Sequence, residues 1–285
     1  CSSDLLKVLS FYPRLVDECL SARPETASLF DEIISSGRAI VGGDVLVNEH
    51  FNPMVEWIYD KISESVNVRS LKVDQVKLFI GELSIFARYN STFLLRAADT
   101  MRAFCPELAQ ELTRNFLEEG GERGKLPAHY VIFTGALIKD LGFRVNGWMP
   151  RANSTQTLLS LIDILAWSNC PSTVLGMYYA TEAVATRETE LLRDLTNQFR
   201  SLRSIDIEQK LPHLDFYYNM HLDPKHDAAS TGVAVETGHQ EGIAYFVKNA
   251  STFNFLQPQI VDGFLQMLSP FSDQWTELST LAHSR

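Results

Sequence analysis

The sequence predicts an all-α protein built as a bundle of long helices with short connections. Apolar residues recur at three- and four-residue spacing along nearly all of the 285 residues, as in helices that bury one face. Strand signals are thin, since "RAIVGGDVLV" allows at most a short hairpin. No fixed repeat or low-complexity linker divides the chain. We therefore expect one domain over 1–285, with an N-terminal helical extension at 1–42 and a core bundle at 43–285.

Several helices carry start or stop signals. Pro106, Pro127 and Pro171 suit first turns, where the missing N–H group of proline costs nothing. Gly142 suits the end of "YVIFTGALIKDLG". The predicted helices are 4–20, 25–37, 43–66, 73–101, 105–119, 127–142, 155–169, 171–201, 212–222, 224–250 and 257–282.

Composition excludes several function classes. The net charge of −10 and the lack of a Lys/Arg-rich run argue against nucleic acid as a partner. No apolar stretch is long enough to span a membrane, and no signal peptide is recognisable. The four cysteines form no CxxC pair, which excludes zinc-ribbon and dithiol redox motifs. We expect a reduced, cytoplasmic compartment.

A functional site inside a bundle should appear as ionisable residues on apolar helix faces, because burying an unpaired charge is costly. In "NFLEEGGERGKLPAH", Glu119 continues a stripe with Phe116 and Leu112, whereas Glu118 continues a polar one and is expected to face outward. His129 heads the apolar face of the next predicted helix. Glu119 and His129 therefore indicate a shared interior, although each alone also fits a polar group packed at a helix end.

Glu182 is a carboxylate in the middle of the apolar helix "VLGMYYATEAVATRE". Its neighbours at helical spacing include Leu175 and Tyr178. A carboxylate in this setting needs a cation or a hydrogen-bond donor. A metal ion fits, and so does a buried tyrosine or an arginine such as Arg88.

The segment "FYYNMHLDPKHD" places His221, Asp223 and His226 within a few residues. Imidazole and carboxylate are ordinary ligands of iron, manganese and zinc. The Asp-Pro step also fits a helix start, with aspartate as N-cap and proline in the first turn. Glu236 and His239, one helical turn apart in "VAVETGHQEG", are a reserve metal or acid–base pair.

Taken in order, these segments resemble the haem-oxygenase-like diiron oxidases, an all-α family. Its pattern has a glutamate ending one core helix, a histidine about ten residues later, a mid-helix glutamate and an H-x3-D-x2-H motif. "NFLEEGGERGKLPAH", "YYATEAV" and "DPKH" match these parts within residues 45–280. The resemblance implies two Fe(II) ions, with dioxygen as co-substrate. The metal ligands that it implies are Glu119, His129, Glu182, His221, Asp223 and His226.

One position departs from the family pattern. Asn219 stands four residues before Asp223, where the family has histidine. On a regular helix, Asn219, Asp223 and His226 share a face while His221 points away. Pro224 argues that the helix is not regular here. His221 and Asn219 therefore remain alternatives for this ligand.

The resemblance implies oxidation of amino acids or fatty acids by dioxygen, with desaturation, C–C or C–N bond cleavage or formation, or N-oxygenation as outcomes. Tyr178 is expected to line the substrate pocket. Arg88 and Glu82 lie in an otherwise apolar helix and would hold the carboxylate and ammonium of a substrate, unless they pair with each other. A fatty acid needs only one polar anchor, so these residues favour a small aliphatic amino-acid-like molecule, and the resemblance places its oxidation in specialised metabolism.

Two other functions stay open at this level. A metal-free member of the same fold, thiaminase-like or engaged in cofactor biosynthesis, is one. The thiaminase-like version needs a pocket cysteine, and Cys105 and Cys170 each merely precede a proline at a helix junction. A non-catalytic helical binding protein is the other. A homodimer is an alternative to a monomer.

Overall fold

The computed structural model describes residues 15–121, 125–205, 210–223 and 234–284. These residues are helical and contain no strand, so the predicted all-α class is confirmed. No described helix is both long and apolar enough to cross a lipid bilayer. The helices are α1 (Leu15–Ala22), α2 (Pro24–Ser36), α3 (Gly43–Val45), a π-helical turn (Leu46–Phe51), α4 (Asn52–Val66), a 3-10 turn (Val68–Ser70), α5 (Val73–Met101), α6 (Pro106–Glu119), α7 (His129–Leu141), α8 (Asn153–Ala166), α9 (Pro171–Leu202), α10 (Pro212–Leu222), α11 (Val235–Lys248) and α12 (Gln257–His283).

Most predicted helices are found near their expected bounds, with two shifts that matter for the site. α7 begins at His129 because Pro127 lies in the connection before the helix and the intervening Ala128 is extended (ψ 146°). The predicted helix over 224–250 is seen only as α11, since 224–233 lie outside the described residues. The first part of the predicted helix 4–20 lies outside them as well.

The predicted helix 43–66 contains a π-helical turn at Leu46–Phe51. Pro53 stands two residues after the end of this turn, and a proline cannot donate to the carbonyl four residues earlier. That carbonyl belongs to Glu49, and it accepts a hydrogen bond from Arg23 Nη2 at 3.1 Å instead. The wider turn thus accommodates the proline without ending the helix.

The 32-residue helix α9 runs through the bundle and packs against α12, α11 and α5. Its contact with α12 is close because glycines stand on both sides. A Cβ atom at Gly176 would lie 2.0 Å from the carbonyl oxygen of Ile260, and one at Gly263 would lie 2.1 Å from that of Thr173. The two helix backbones therefore touch, which leaves the middle of α9 enclosed.

A polar contact fixes α11 against the same helix. The Tyr179 hydroxyl of α9 donates to Asn52 Oδ1 of α4, and Gln240 Nε2 of α11 donates to the same oxygen at 3.1 Å. In addition, α11 packs against α6, and α10 packs against α7. The end of α6 and the start of α7 are thereby brought beside α9, α10 and α11.

Replacing Gly176 by alanine should destabilise the protein by about 1–3 kcal/mol, because the added methyl group has no room between α9 and α12. Gly135→Ala in α7 is the matched control. No atom of the described residues lies within 4 Å of a Cβ at Gly135, and alanine favours helix there by about 0.5–1 kcal/mol. Urea unfolding measures both changes, and equal effects of the two variants would contradict the close α9–α12 contact.

Candidate metal centre

Six ionisable side chains from α6, α7, α9, α10 and α11 gather in the interior of the bundle. Five of them are buried, and the side chain of the sixth, Glu119, is 14% exposed. Three are carboxylates and three are imidazoles. They are Glu119, His129, Glu182, His221, Glu236 and His239.

His239 lies at the centre of the carboxylates. Its Nδ1 atom is 3.6 Å from Glu182 Oε2 and 4.0 Å from Glu119 Oε1. One donor atom each from Glu182, Glu236 and His239 lie within 4.8 Å of one another. This spacing is that of side chains that can share a metal ion.

The other two histidines complete the cluster from the opposite helices. His129 Nδ1 is 3.4 Å from Glu119 Oε2, and His221 Nε2 is 3.9 Å from Glu236 Oε1. The rings of His129 and His221 meet edge to face, with centroids 4.8 Å apart. His221 Nδ1 donates to the carbonyl of Tyr217 at 2.7 Å, which leaves Nε2 as the free acceptor that faces the carboxylates.

Glu118 orients His239, contrary to the expectation that it faces outward. It accepts a hydrogen bond from His239 Nε2 at 2.7 Å and two from Arg114 Nη1 at 2.8 and 2.9 Å. Arg114 also bonds Glu111, and a Cβ atom at Gly242 of α11 would lie 1.8 Å from that carboxylate. The available sequence signal was that Glu111 stands three residues before Arg114 and Glu118 four residues after it, the spacings of ion pairs on a helix.

Burial and mutual repulsion give the three carboxyl groups of the cluster different pKa values. Burial raises the pKa of Glu182 to about 7, although nearby His239 opposes this. Burial and the charge of Glu119 raise the pKa of Glu236 to about 8. Burial also acts to raise the pKa of Glu119, but His129 and the other imidazoles lower it to about 2. Without a cation, the cluster therefore holds protons on some carboxyl groups near neutral pH.

The imidazoles of His221 and His239 also differ in pKa. Burial and the neighbouring His129 lower the pKa of His221 to about 4, so this ring stays neutral. Burial acts to lower the pKa of His239 too, but the hydrogen bond to Glu118 and the charge of Glu182 raise it to about 9. A metal ion would have to displace the His239 proton from the nitrogen that faces the carboxylates, so metal affinity should rise with pH.

The buried stripe of α10 decides which way its polar residues face. Leu214, Tyr217, Tyr218 and His221 are buried at helical spacing, and Asn219 is exposed. The sequence analysis assumed a regular helix through Asp223 and therefore expected His221 to point away from the ligand face. That assumption does not hold, because α10 ends at Leu222.

Asp223 is the C-cap of α10, where its N–H donates to the Asn219 carbonyl at 2.9 Å and its backbone becomes extended (φ −109°, ψ 114°). His226 lies outside the described residues. The D-x2-H spacing sought there occurs again, with glutamate in place of aspartate, at Glu236 and His239. The reserve pair of the sequence analysis is thus the one whose side chains join Glu182 in the described structure.

Two of the three predicted substrate-binding residues are engaged elsewhere. The buried Glu82 carboxylate accepts hydrogen bonds from Trp148 Nε1 at 2.9 Å and from the backbone N–H of Arg151 at 2.7 Å, so it fixes the connection before α8. Arg88 is exposed, with its guanidinium 5.5 Å from the ring centroid of Tyr89. These contacts do not support the predicted roles of Glu82 and Arg88 in holding the ammonium and carboxylate of a substrate.

Tyr178 is buried one turn before Glu182 on α9. Burial and the charge of Glu182 raise the pKa of Tyr178 well above its ordinary value. Its hydroxyl group makes no hydrogen bond with any residue that the structure describes. Tyr178 therefore remains a candidate to bind substrate beside the cluster.

A cavity of about 90 Å³ adjoins four of the six side chains. Glu119, Glu182, His221 and Glu236 form one part of its wall. Much of the remaining wall is apolar and comes from α5 and α9, namely Leu83, Phe86, Ala87, Ala185 and Leu192. The cluster thus opens onto a small space that these apolar side chains share with polar ones, among them Asn90, Thr181 and Glu188.

The fold and this site define a helical protein with buried carboxylates and histidines facing a cavity. The chain belongs to the family described as a domain of unknown function with a solved structure, DUF3865, which matches residues 47–280. No curated protein matches the chain.

Solved structures share this fold. A CADD-like protein of unknown function from Nostoc punctiforme is 21% identical, with a TM-score of 0.63 over 90% of this chain and 98% of that one. A second crystal structure described in the same words gives a TM-score of 0.60. A domain of unknown function with a heme oxygenase-like fold from Shewanella denitrificans is 13% identical, with a TM-score of 0.52 over 93% of this chain and 91% of that one. The predicted haem-oxygenase-like fold is confirmed.

In chelator-treated protein, Glu236→Gln should become more stable relative to wild type as pH rises from about 5 to about 8. The folded state keeps the Glu236 proton up to about pH 8, whereas the unfolded chain releases it near the ordinary pKa of 4.5. The wild-type free energy of unfolding therefore falls across this window, and the glutamine variant lacks that slope.

Urea unfolding at several pH values measures this difference. Glu190→Gln is the control, because its half-exposed carboxylate lies 3.7 Å from Arg187 on the same bundle. A Glu236→Gln variant whose advantage over wild type shrinks with rising pH would contradict the buried-carboxyl account.

Proposed function

We propose that this protein is an O2-dependent non-haem diiron oxidase that acts on a small, largely aliphatic substrate. The observation that carries the proposal is the convergence of three carboxylates and three imidazoles in the bundle interior, where all three carboxylates and His221 line a cavity. The ligand set that we propose is Glu119, His129, Glu182, His221, Glu236 and His239.

The donor chemistry fits two ferrous ions. Carboxylate oxygens and neutral imidazoles suit iron, and three carboxylates offset most of the charge of two divalent ions. His129 Nδ1 is buried, and its contact with Glu119 Oε2 at 3.4 Å does not have hydrogen-bond geometry, as expected of a nitrogen kept for a metal. Without metal, Glu236 and His239 retain protons near neutral pH. Bound cations would replace the positive charge of these protons beside the carboxylates. Bound iron would supply the activation of dioxygen for oxidising a C–H, C–C or C–N bond.

The protein's own groups hold and shield this centre. The Glu118–Arg114 pair fixes the ring of His239, and the Tyr217 carbonyl fixes that of His221. The apolar wall from α5 and α9 keeps water from the reacting groups and leaves space for substrate next to the carboxylates.

The metal-free thiaminase-like alternative has no support among the described cysteines. Cys19, Cys105 and Cys170 are all buried. None of the three is part of the cavity wall. Burial raises the pKa of the Cys19 thiol to about 11, which disfavours a thiolate nucleophile there.

Anaerobic titration with Fe(II) should show about two ions per chain in wild type, and admission of oxygen should then give a transient visible absorption. Glu182→Ala and His239→Ala should weaken iron binding at least tenfold, because each removes a donor from the centre of the cluster. Glu190→Ala and His283→Ala, both away from the cluster, are the controls. Wild type that binds no iron would sink the proposal.

The same titration separates the two candidate ligand pairs. We expect Glu236→Ala and His239→Ala to lose iron, and Asp223→Ala and His226→Ala to retain it. The reverse pattern would restore the sequence-based ligand set and contradict the one proposed from the structure.

A further inference from the structure

Glu188 is a second kind of carboxylate in the cavity. It lies on α9 six residues after Glu182, forms part of the cavity wall, and is not one of the six residues of the proposed ligand set. The side chain keeps some accessible surface although it stands deep in the bundle. Nothing in the proposed ligand set uses it.

Both hydrogen bonds to Glu188 reach the same oxygen. The Tyr59 hydroxyl and Trp275 Nε1 each donate to Glu188 Oε1 at 2.9 Å. These two donors come from α4 and α12, so the carboxyl group is held from two sides. Oε2 receives no hydrogen bond from the described residues, which leaves one acceptor available to the cavity.

No cationic side chain among the described residues forms an ion pair with Glu188. Its neighbour Arg187 is directed to Asp60, Glu56 and Glu190 instead. Burial raises the pKa of Glu188 to about 7, although the bonds from Trp275 and Tyr59 act to lower it. A buried carboxylate that has hydrogen-bond donors but no cationic partner is suited to bind a cationic group of a ligand.

The spacing on α9 places this acceptor near the metal cluster. Glu182 and Glu188 are separated by six residues, which is about 9 Å along a helix axis. Ala185 lies between them on the wall that they share, and Leu83, Phe86 and Leu192 add further apolar surface to it. If the cationic group of a ligand binds Glu188, a carbon atom a few bonds from that group would therefore lie beside the cluster.

We propose that Glu188 is the substrate anchor and that it binds a protonated primary amine on a short aliphatic chain. This inference rests on the proposed function and names its substrate class. Oε2 accepts a hydrogen bond from the ammonium group, and the apolar wall packs against the methylene groups. Glu188 thereby takes the place that the sequence analysis gave to Glu82.

Calorimetric titration of the full chain tests the anchor. The protein is loaded with Zn(II), which is inert to dioxygen, and titrated at pH 8 with n-butylamine, butyrate and 1-butanol. Wild type should bind butylammonium at least tenfold more tightly than the other two probes, since butyrate is repelled and butanol brings no charge.

Glu188→Gln is the decisive variant. It keeps an oxygen for Tyr59 and Trp275 but removes the charge, so it should fold, with butylammonium binding weakened at least tenfold and zinc content unchanged. Glu188→Asp keeps the charge but withdraws it by one methylene and should give an intermediate loss. Glu190→Gln, two residues along α9, should match wild type.

Several results would overturn the anchor. These are equal binding of all three probes by wild type, retained amine preference in Glu188→Gln, or loss of zinc in Glu188→Gln, which would make the residue a metal ligand. Failure of wild type to hold any metal would instead overturn the proposed function. In that case the comparison of Glu188→Gln with wild type in metal-free protein still decides the anchor by the same criterion.

Discussion

Burial of like charges in one interior is the constraint on which the site depends. Glu119, Glu182 and Glu236 face each other at distances where a carboxylate raises the pKa of its neighbours. The described structure relieves this repulsion with the proton of His239 and with hydrogen bonds that hold the rings. A pair of divalent cations would relieve it more completely, because positive charge would replace protons at the donor atoms. Stability and metal affinity of this protein should therefore be coupled.

The helix packing serves that arrangement. Glycine contacts between α9 and α12 let the backbones touch, and α9 in turn presents Glu182 and Glu188 to one cavity. The Arg114–Glu118 pair ties the end of α6 to His239 of α11. Glu182 of the cluster and Glu188, the proposed amine anchor, thus lie on the same helix, which fixes the distance between these two carboxyl groups.

Much of the fold could be predicted from the sequence, which also gave four residues of the cluster as expected ligands and the other two, Glu236 and His239, as a reserve pair. Helical periodicity predicted the all-α class, and the apolar stripes singled out Glu119, His129 and Glu182. Helical periodicity misjudged the end of α10, because Asp223 lies past the last helical residue and could not be used to decide which way His221 points. It also misjudged Glu82, which is on a buried stripe but meets the backbone of residues 151–152. Periodicity shows that a side chain points inward, and it cannot show which loop or helix arrives to meet it.

An anomalous diffraction map at the iron edge, from crystals of protein grown with iron, tests the central claim most directly. The account predicts two iron peaks enclosed by the three glutamates and three histidines of the cluster. A map without iron there, or with iron bound at Asp223 and His226 while Glu236 and His239 stay free, would contradict it.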